Sequence, residues 1–115
     1  MPAATYNIKI EQGATFELTA TYTDSAGAAI DITGYSARMQ VRRTKNSSTT
    51  LLDLTSVSGI TITGASGLLE IVASATLTAA ITGTVGVYDL EIESAGGVVT
   101  RLLEGAVEIS KEVTR

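Results

Sequence analysis

GVYDLEIESAGGVVTRLLEGAVEIS, residues 86–110, reads as three strands in a row. In the first, Tyr88, Leu90 and Ile92 fall on one face and Asp89, Glu91 and Glu93 on the other. Such strict alternation marks a strand with one side in a core and one in water. Ser94-Ala95-Gly96-Gly97 is a turn signal, since glycine takes positive φ without steric cost. Val98 to Glu104 returns, Gly105 breaks the pattern, and Ala106 to Ser110 alternates again.

The same reading extends outward. Tyr6 to Ile10 alternates as a first strand, and Glu11-Gln12-Gly13 turns or bulges. Thr15 to Thr23 has the cleanest period of two. Phe16, Leu18, Ala20 and Tyr22 share one face; Thr15, Glu17, Thr19, Thr21 and Thr23 share the other. Asp24-Ser25-Ala26-Gly27 is a hairpin-type turn, Ala28 to Ile32 a short run, and Thr33-Gly34 a second break. Tyr35 to Arg43 sets Tyr35, Ala37, Met39 and Val41 against Ser36, Arg38, Gln40 and Arg42. Lys45 to Thr50 is a polar, exposed and mobile loop. Short strands follow at Leu51 to Thr55, Ile60 to Thr63 and Leu68 to Ala73, with Leu69 and Ile71 as core. Ser74 to Ile81 departs from alternation. Ser74 is placed to cap one or two helical turns, Leu77 and Ile81 lie four apart, and the segment crosses between sheets.

Short strands with turns every ~8–12 residues predict an all-β fold, an immunoglobulin-like antiparallel β-sandwich of about seven to nine strands. The 115 residues suit a single domain, 1–115, with 1–4 and 111–115 as extended arms. Charged residues are only 17% and hydrophobic ones 44%, which excludes a disordered chain. Cysteine is absent, so disulfides and thiolate metal sites are excluded, and packing or neighbours must hold the fold. Histidine is also absent, which removes Ser-His-Asp and Cys-His catalysis. A net charge of −4 argues against direct nucleic-acid binding. No apolar run approaches the ~20 residues of a membrane span. The opening Met-Pro-Ala-Ala-Thr lacks signal-peptide segments, so synthesis in a cytoplasm is expected.

The candidate chemistry is sparse. Asp89, Glu91 and Glu93 form a carboxylate row suited to a hydrolase or a calcium site. Against that stands a solvated outer face, because one strand supplies too few converging ligands. Arg38, Arg42 and Arg43, with Lys45 nearby, form a basic patch. It either meets a partner's acidic groups, reaches a phosphate backbone, or pairs with Asp and Glu of its own sheet. Asp31 to Tyr35 is either a binding loop or a structural turn with a tyrosine-corner-like role. Thr19 and Thr21 line an outer face without lysine to guard it, as expected of a surface covered by another subunit. Gly64 to Gly67 lacks the ending and helix of a phosphate loop. The few aromatics are expected in core or boundary packing.

Four motifs recur as a set: IEQGATF at 10–16, DITGYSARMQVR at 31–42, GVYDLE at 86–91, and VTRLLEG at 99–105 with EVTR at 112–115. Together they resemble small structural proteins of tailed bacteriophages. They are similar to the N-terminal domain of the upper baseplate protein family of siphophages. The resemblance implies an immunoglobulin-like module that docks a fibre or decoration onto a virion, without enzymatic activity or cofactor. Partners would be other virion proteins, and the module would be a homo-oligomer or sit in many copies on a symmetric assembly. Tail, baseplate, neck and capsid all remain open as its place on a virion assembled from protein made in the host cytoplasm. A carbohydrate-binding module is the competing expectation from fold class, although such modules use exposed aromatics and these are only 4% here. An enzyme built on Asp89 and Glu91 is a third.

Overall fold

The computed structural model describes residues 3–113. Met1, Pro2, Thr114 and Arg115, parts of the expected arms and of the last motif, lie outside the described residues. Among the described residues nine strands run in order: β1 (Ala4–Thr5), β2 (Ile8–Glu11), β3 (Phe16–Thr21), β4 (Ser36–Arg42), β5 (Thr50–Thr55), β6 (Ile60–Thr63), β7 (Leu68–Ala73), β8 (Val85–Glu93) and β9 (Val99–Ser110). A 3₁₀ turn at Gly64–Ser66 and one short helix, α1 (Ala75–Ala79), complete the elements.

The strands form two sheets. The larger has the order β1-β9-β8-β4-β5, with β2 also paired to β9; the smaller has the order β3-β7-β6. With β3 to β9 taken as B, C, C′, D, E, F and G, the sheets read G-F-C-C′ and B-E-D. That is the immunoglobulin-like sandwich, with a C′ strand of the variable type. Pairing is antiparallel throughout β3 to β9. The exception is the N-terminal segment, where β1 and β2 join β9 in parallel.

Alternation explains the core. β4 and β8 pair in register, setting Met39 opposite Leu90 and Ala37 opposite Ile92, and all four are buried. From the smaller sheet Phe16, Ile60, Leu69, Ile71 and Ala73 face them, and Ile32 and Ile81 close the ends. Each Leu or Ile removed from water contributes roughly 1.5–3 kcal/mol, so these two inner faces hold the sandwich without a disulfide.

Three local expectations need correction. Val99–Ser110 is one strand, where Val98 to Glu104 and Ala106 to Ser110 read as two. Its change of phase comes from a bulge at Leu102: Leu90 pairs with Leu103 and Glu91 with Arg101, leaving one residue extra. Gly105 does not end the strand. Its role is close approach, because a Cβ there would lie 2.4 Å from the Tyr6 carbonyl oxygen. Tyr6 and Asn7 are likewise a joint between β1 and β2, not part of a strand. Asn7 Oδ1 accepts from the Ala106 amide at 3.0 Å, and the Tyr6 amide donates to the Glu104 carbonyl at 2.9 Å.

Helix α1 links β7 of the smaller sheet to β8 of the larger. Ser74 caps it, its hydroxyl accepting from the Leu77 amide. Leu77 is exposed, however, and the side chain driven inward beside Ile81 is Thr78. The Thr78 hydroxyl donates to the Ala14 carbonyl at 2.8 Å and accepts from the Gly13 amide at 3.1 Å. A buried hydroxyl needs such partners, and here they tie the helix to the turn between β2 and β3. Gln12 bridges the same corner, donating to the Ile81 carbonyl and accepting from the Glu112 amide.

Candidate functional site

The residues singled out from the sequence fall on two separate surfaces. Arg38 and Arg42 lie on the outer face of the larger sheet, on β4. Thr19 and Thr21 lie on the outer face of the smaller sheet, on β3.

On the larger sheet most acids meet a cation. Arg38 Nε donates to Glu91 Oε1 at 3.0 Å, directly across from β4 to β8. Arg101 reaches Asp89 at 3.4 Å and Glu104 at 3.1 Å. Lys9 stands opposite Glu108 at 3.7 Å. Ion pairs at such exposure add little to stability; their larger effect is to leave the face locally neutral. The three arginines have separate partners. Arg42 is turned onto its own hairpin, donating to the Ser47 carbonyl at 2.7 Å and to Gln40 Oε1 at 3.0 Å. This fastens the Lys45 to Thr50 loop that the sequence suggests is mobile. Arg43 lies just past the end of β4, with Nη2 3.5 Å from Thr82 Oγ1.

The carboxylate row does not gather into a cage. Among the described residues no group of three or more Asp, Glu, His or Cys side chains is placed to hold a metal ion. Asp89 is the perturbed member. Burial, and then the neighbouring Glu91, push its carboxyl above the ordinary range, while Arg101 pulls it back. It forms part of a shallow groove of about 310 Å³, lined by Gln40, Arg42, Lys45, Asp89, Arg101 and Glu104. Arg101 and Glu104 pair with each other along β9, and Arg101 also reaches Asp89 on the neighbouring β8; the sequence reading singled out neither residue.

Asp31 to Tyr35 forms a turn. Asp31 Oδ1 accepts from both the amide and the hydroxyl of Thr33, which lowers its pKa. The tyrosine that ties its hydroxyl to the backbone is Tyr88, not Tyr35. Tyr88 Oη donates to the Tyr6 carbonyl at 2.5 Å.

The smaller sheet's outer face is of another kind. In register across β3, β7 and β6 stand Thr19, Glu70 and Thr61, then Thr21, Leu68 and Thr63. Glu17 and the exposed Val72 pair beside them. No lysine or arginine occurs in β3, β6 or β7. β3 is the end strand of its sheet, so its outer edge has no strand partner among the described residues. Beside that edge a groove of about 220 Å³ runs between Ala20–Thr23 and Thr100–Leu103.

No helix among the described residues is long and apolar enough to cross a membrane. No protein-family model matches the chain, and no curated protein matches it either.

Proposed function

We propose that this chain is a non-enzymatic structural protein of a bacteriophage virion, a multi-copy adaptor or decoration module attached to tail, baseplate, neck or capsid. The observation that carries this reading is the contrast between the two sheets. The larger pairs most of its outer charges internally. The smaller presents a flat face of four threonines, two unpaired-by-cation glutamates and Val72, next to an open strand edge. Open edges are liabilities in a free protein, commonly guarded by lysine, proline or a covering segment. Such a face suits a chain whose neighbours cover it, through strand addition and flat polar contact. The sequence resemblance to phage structural proteins supplies the setting. Gold-labelled antibody against the chain, applied to purified particles of the phage that encodes it, is expected to mark one discrete part of the virion. Unmarked particles, with the chain left free in the lysate, would count against the proposal.

A second reading rests on the groove between Arg42, Lys45, Asp89 and Arg101. Its polar donors and acceptors suit sugar hydroxyls, which supports a carbohydrate-binding module as the alternative. Glycan-array binding lost on Asp89→Ala would favour it; silence across the array would remove it.

A further inference from the structure

The charges of this molecule are segregated in a way that one copy does not resolve. Residues 46–100 and 12–37 contain no lysine or arginine, and these stretches supply all three strands of the smaller sheet. Its outer face nevertheless carries Glu17 and Glu70. They sit on adjacent strands one pair apart, since Thr19 is the residue opposite Glu70 and Val72 the one opposite Glu17. Diagonal positions of this kind are roughly 7–8 Å apart, close enough for like charges to repel. Among the described residues no ion pair reaches either of them.

The complementary surplus lies elsewhere. The β4–β5 hairpin carries Arg42, Arg43 and Lys45 within four positions. Among the described residues none of the three is in an ion pair: Arg42 is held by Ser47 and Gln40, and Arg43 lies beside Thr82. Among the described residues the ion pairs of the larger sheet are made by Arg38, Arg101 and Lys9.

We propose that the Arg42-Arg43-Lys45 corner of one copy docks on the Glu17/Glu70 threonine face of a second copy. The inference rests on reading the smaller sheet's face as a docking surface, and it names the occupant. The two patches differ, so the contact is heterologous, and repeated copies form a ring or an open row rather than an isologous pair. Its size sets its strength. Three strands at ~4.8 Å spacing and five residues at ~3.3 Å rise span on the order of 240 Å², well below the ~800 Å² per partner of a standard interface. Free copies therefore associate weakly, with a dissociation constant on the order of 10⁻⁴ M or above. Copies already held side by side on a scaffold gain from the high local concentration. Charge complementarity adds register and salt sensitivity more than affinity.

The test uses the full chain and a charge exchange. Sedimentation velocity of the wild type, up to about 1 mM at low salt, is expected to show concentration-dependent association. It should weaken roughly tenfold between 50 and 300 mM salt, as screened exposed charges do. E17K/E70K and R43E/K45E should each be monomeric under all these conditions, with unchanged circular dichroism. Mixed in equal amounts, the two variants should associate again, because each supplies the patch the other has lost. A wild type that stays monomeric at low salt, variants that associate like wild type, or a mixture that fails to recover would each overturn the proposal. A monomer that still binds virions would sink this inference alone. An associating chain that no virion carries would sink the virion reading alone.

Discussion

The Tyr88 hydroxyl donates to the Tyr6 carbonyl at 2.5 Å, and the residue opposite Tyr88 on β9 is Gly105. The three positions form one joint. The glycine leaves room for the Tyr6 carbonyl, and the tyrosine ring, buried in the core, fastens it. The N-terminal segment is thereby held against β9 as a parallel edge.

Removing the hydroxyl tests the fastening. Tyr88→Phe keeps the ring and its burial but deletes one hydrogen bond, so a loss of about 1 kcal/mol is expected in urea unfolding. Burial pushes Tyr88 up to about 12, with the nearby Tyr6 adding to the rise. A raised folded pKa means the folded chain keeps its proton where the unfolded chain has lost it. The stability tied to Tyr88 is therefore complete below pH ~10 and lost as pH climbs from there through about 12. Unfolding curves across that window should fall less steeply with pH for Tyr88→Phe than for wild type.

Gly105 and Gly96 should respond oppositely to alanine. At Gly105 the new methyl meets backbone, the Tyr6 carbonyl, which has no rotamer to escape into. A cost of about 1–3 kcal/mol is expected, as for an overpacked site, together with loss of hydrogen-exchange protection at Ala106. At Gly96 the nearest atom to a Cβ is the Ser94 hydroxyl at 3.9 Å. Gly96→Ala should leave stability unchanged or raise it by up to about 1 kcal/mol through the unfolded state. Thermal denaturation of both variants checks the pair.

Thr78→Val replaces a fully buried hydroxyl by a methyl of nearly equal volume. The Gly13 amide and the Ala14 carbonyl then lose a partner at the corner joining α1 to the β2–β3 turn. The expected cost is about 1–3 kcal/mol, measurable by chemical denaturation. Thr78→Ser should recover most of it, which separates the hydrogen bonds from the packing.

Asp89 is held above the usual carboxylate range chiefly by burial, and Arg101 is the largest influence opposing the rise. Arg101→Gln should therefore move the Asp89 titration to higher pH, seen by carboxyl carbon NMR. The sign for stability follows. The folded chain binds this proton more tightly than the unfolded one, so the contribution is present below pH ~3.8 and is lost as pH rises through the folded pKa. Asp89→Asn should flatten that part of the acid-side profile without unfolding the chain at neutral pH.

Much of the fold was legible because burial alternates with period two. Ala37, Met39, Val41, Leu69, Ile71, Leu90 and Ile92 are buried where the pattern puts them. The Ser74 cap was legible for a local reason, since its partner is three residues away. The failures share a cause. The Leu102 bulge, the approach of Tyr6 to Gly105 and the inward turn of Thr78 depend on pairing with another strand or turn, and alternation within one segment carries no record of it. The site was less legible still. Arg38 and Glu91 read as separate features until β4 and β8 set them opposite each other. The two unpaired glutamates of the smaller sheet emerge as a patch only once β3 and β7 are in register.

Whether the smaller sheet's outer face is a docking surface is tested most directly by binding to purified virions lacking the chain, with wild type compared against T19K/T21K. Both changes are exposed and leave the core untouched. Wild type is expected to cosediment and saturate at a fixed number of copies per particle, while the doubly substituted chain stays in the supernatant with its fold intact. Equal binding by the two, or no binding by either, would contradict the proposed role.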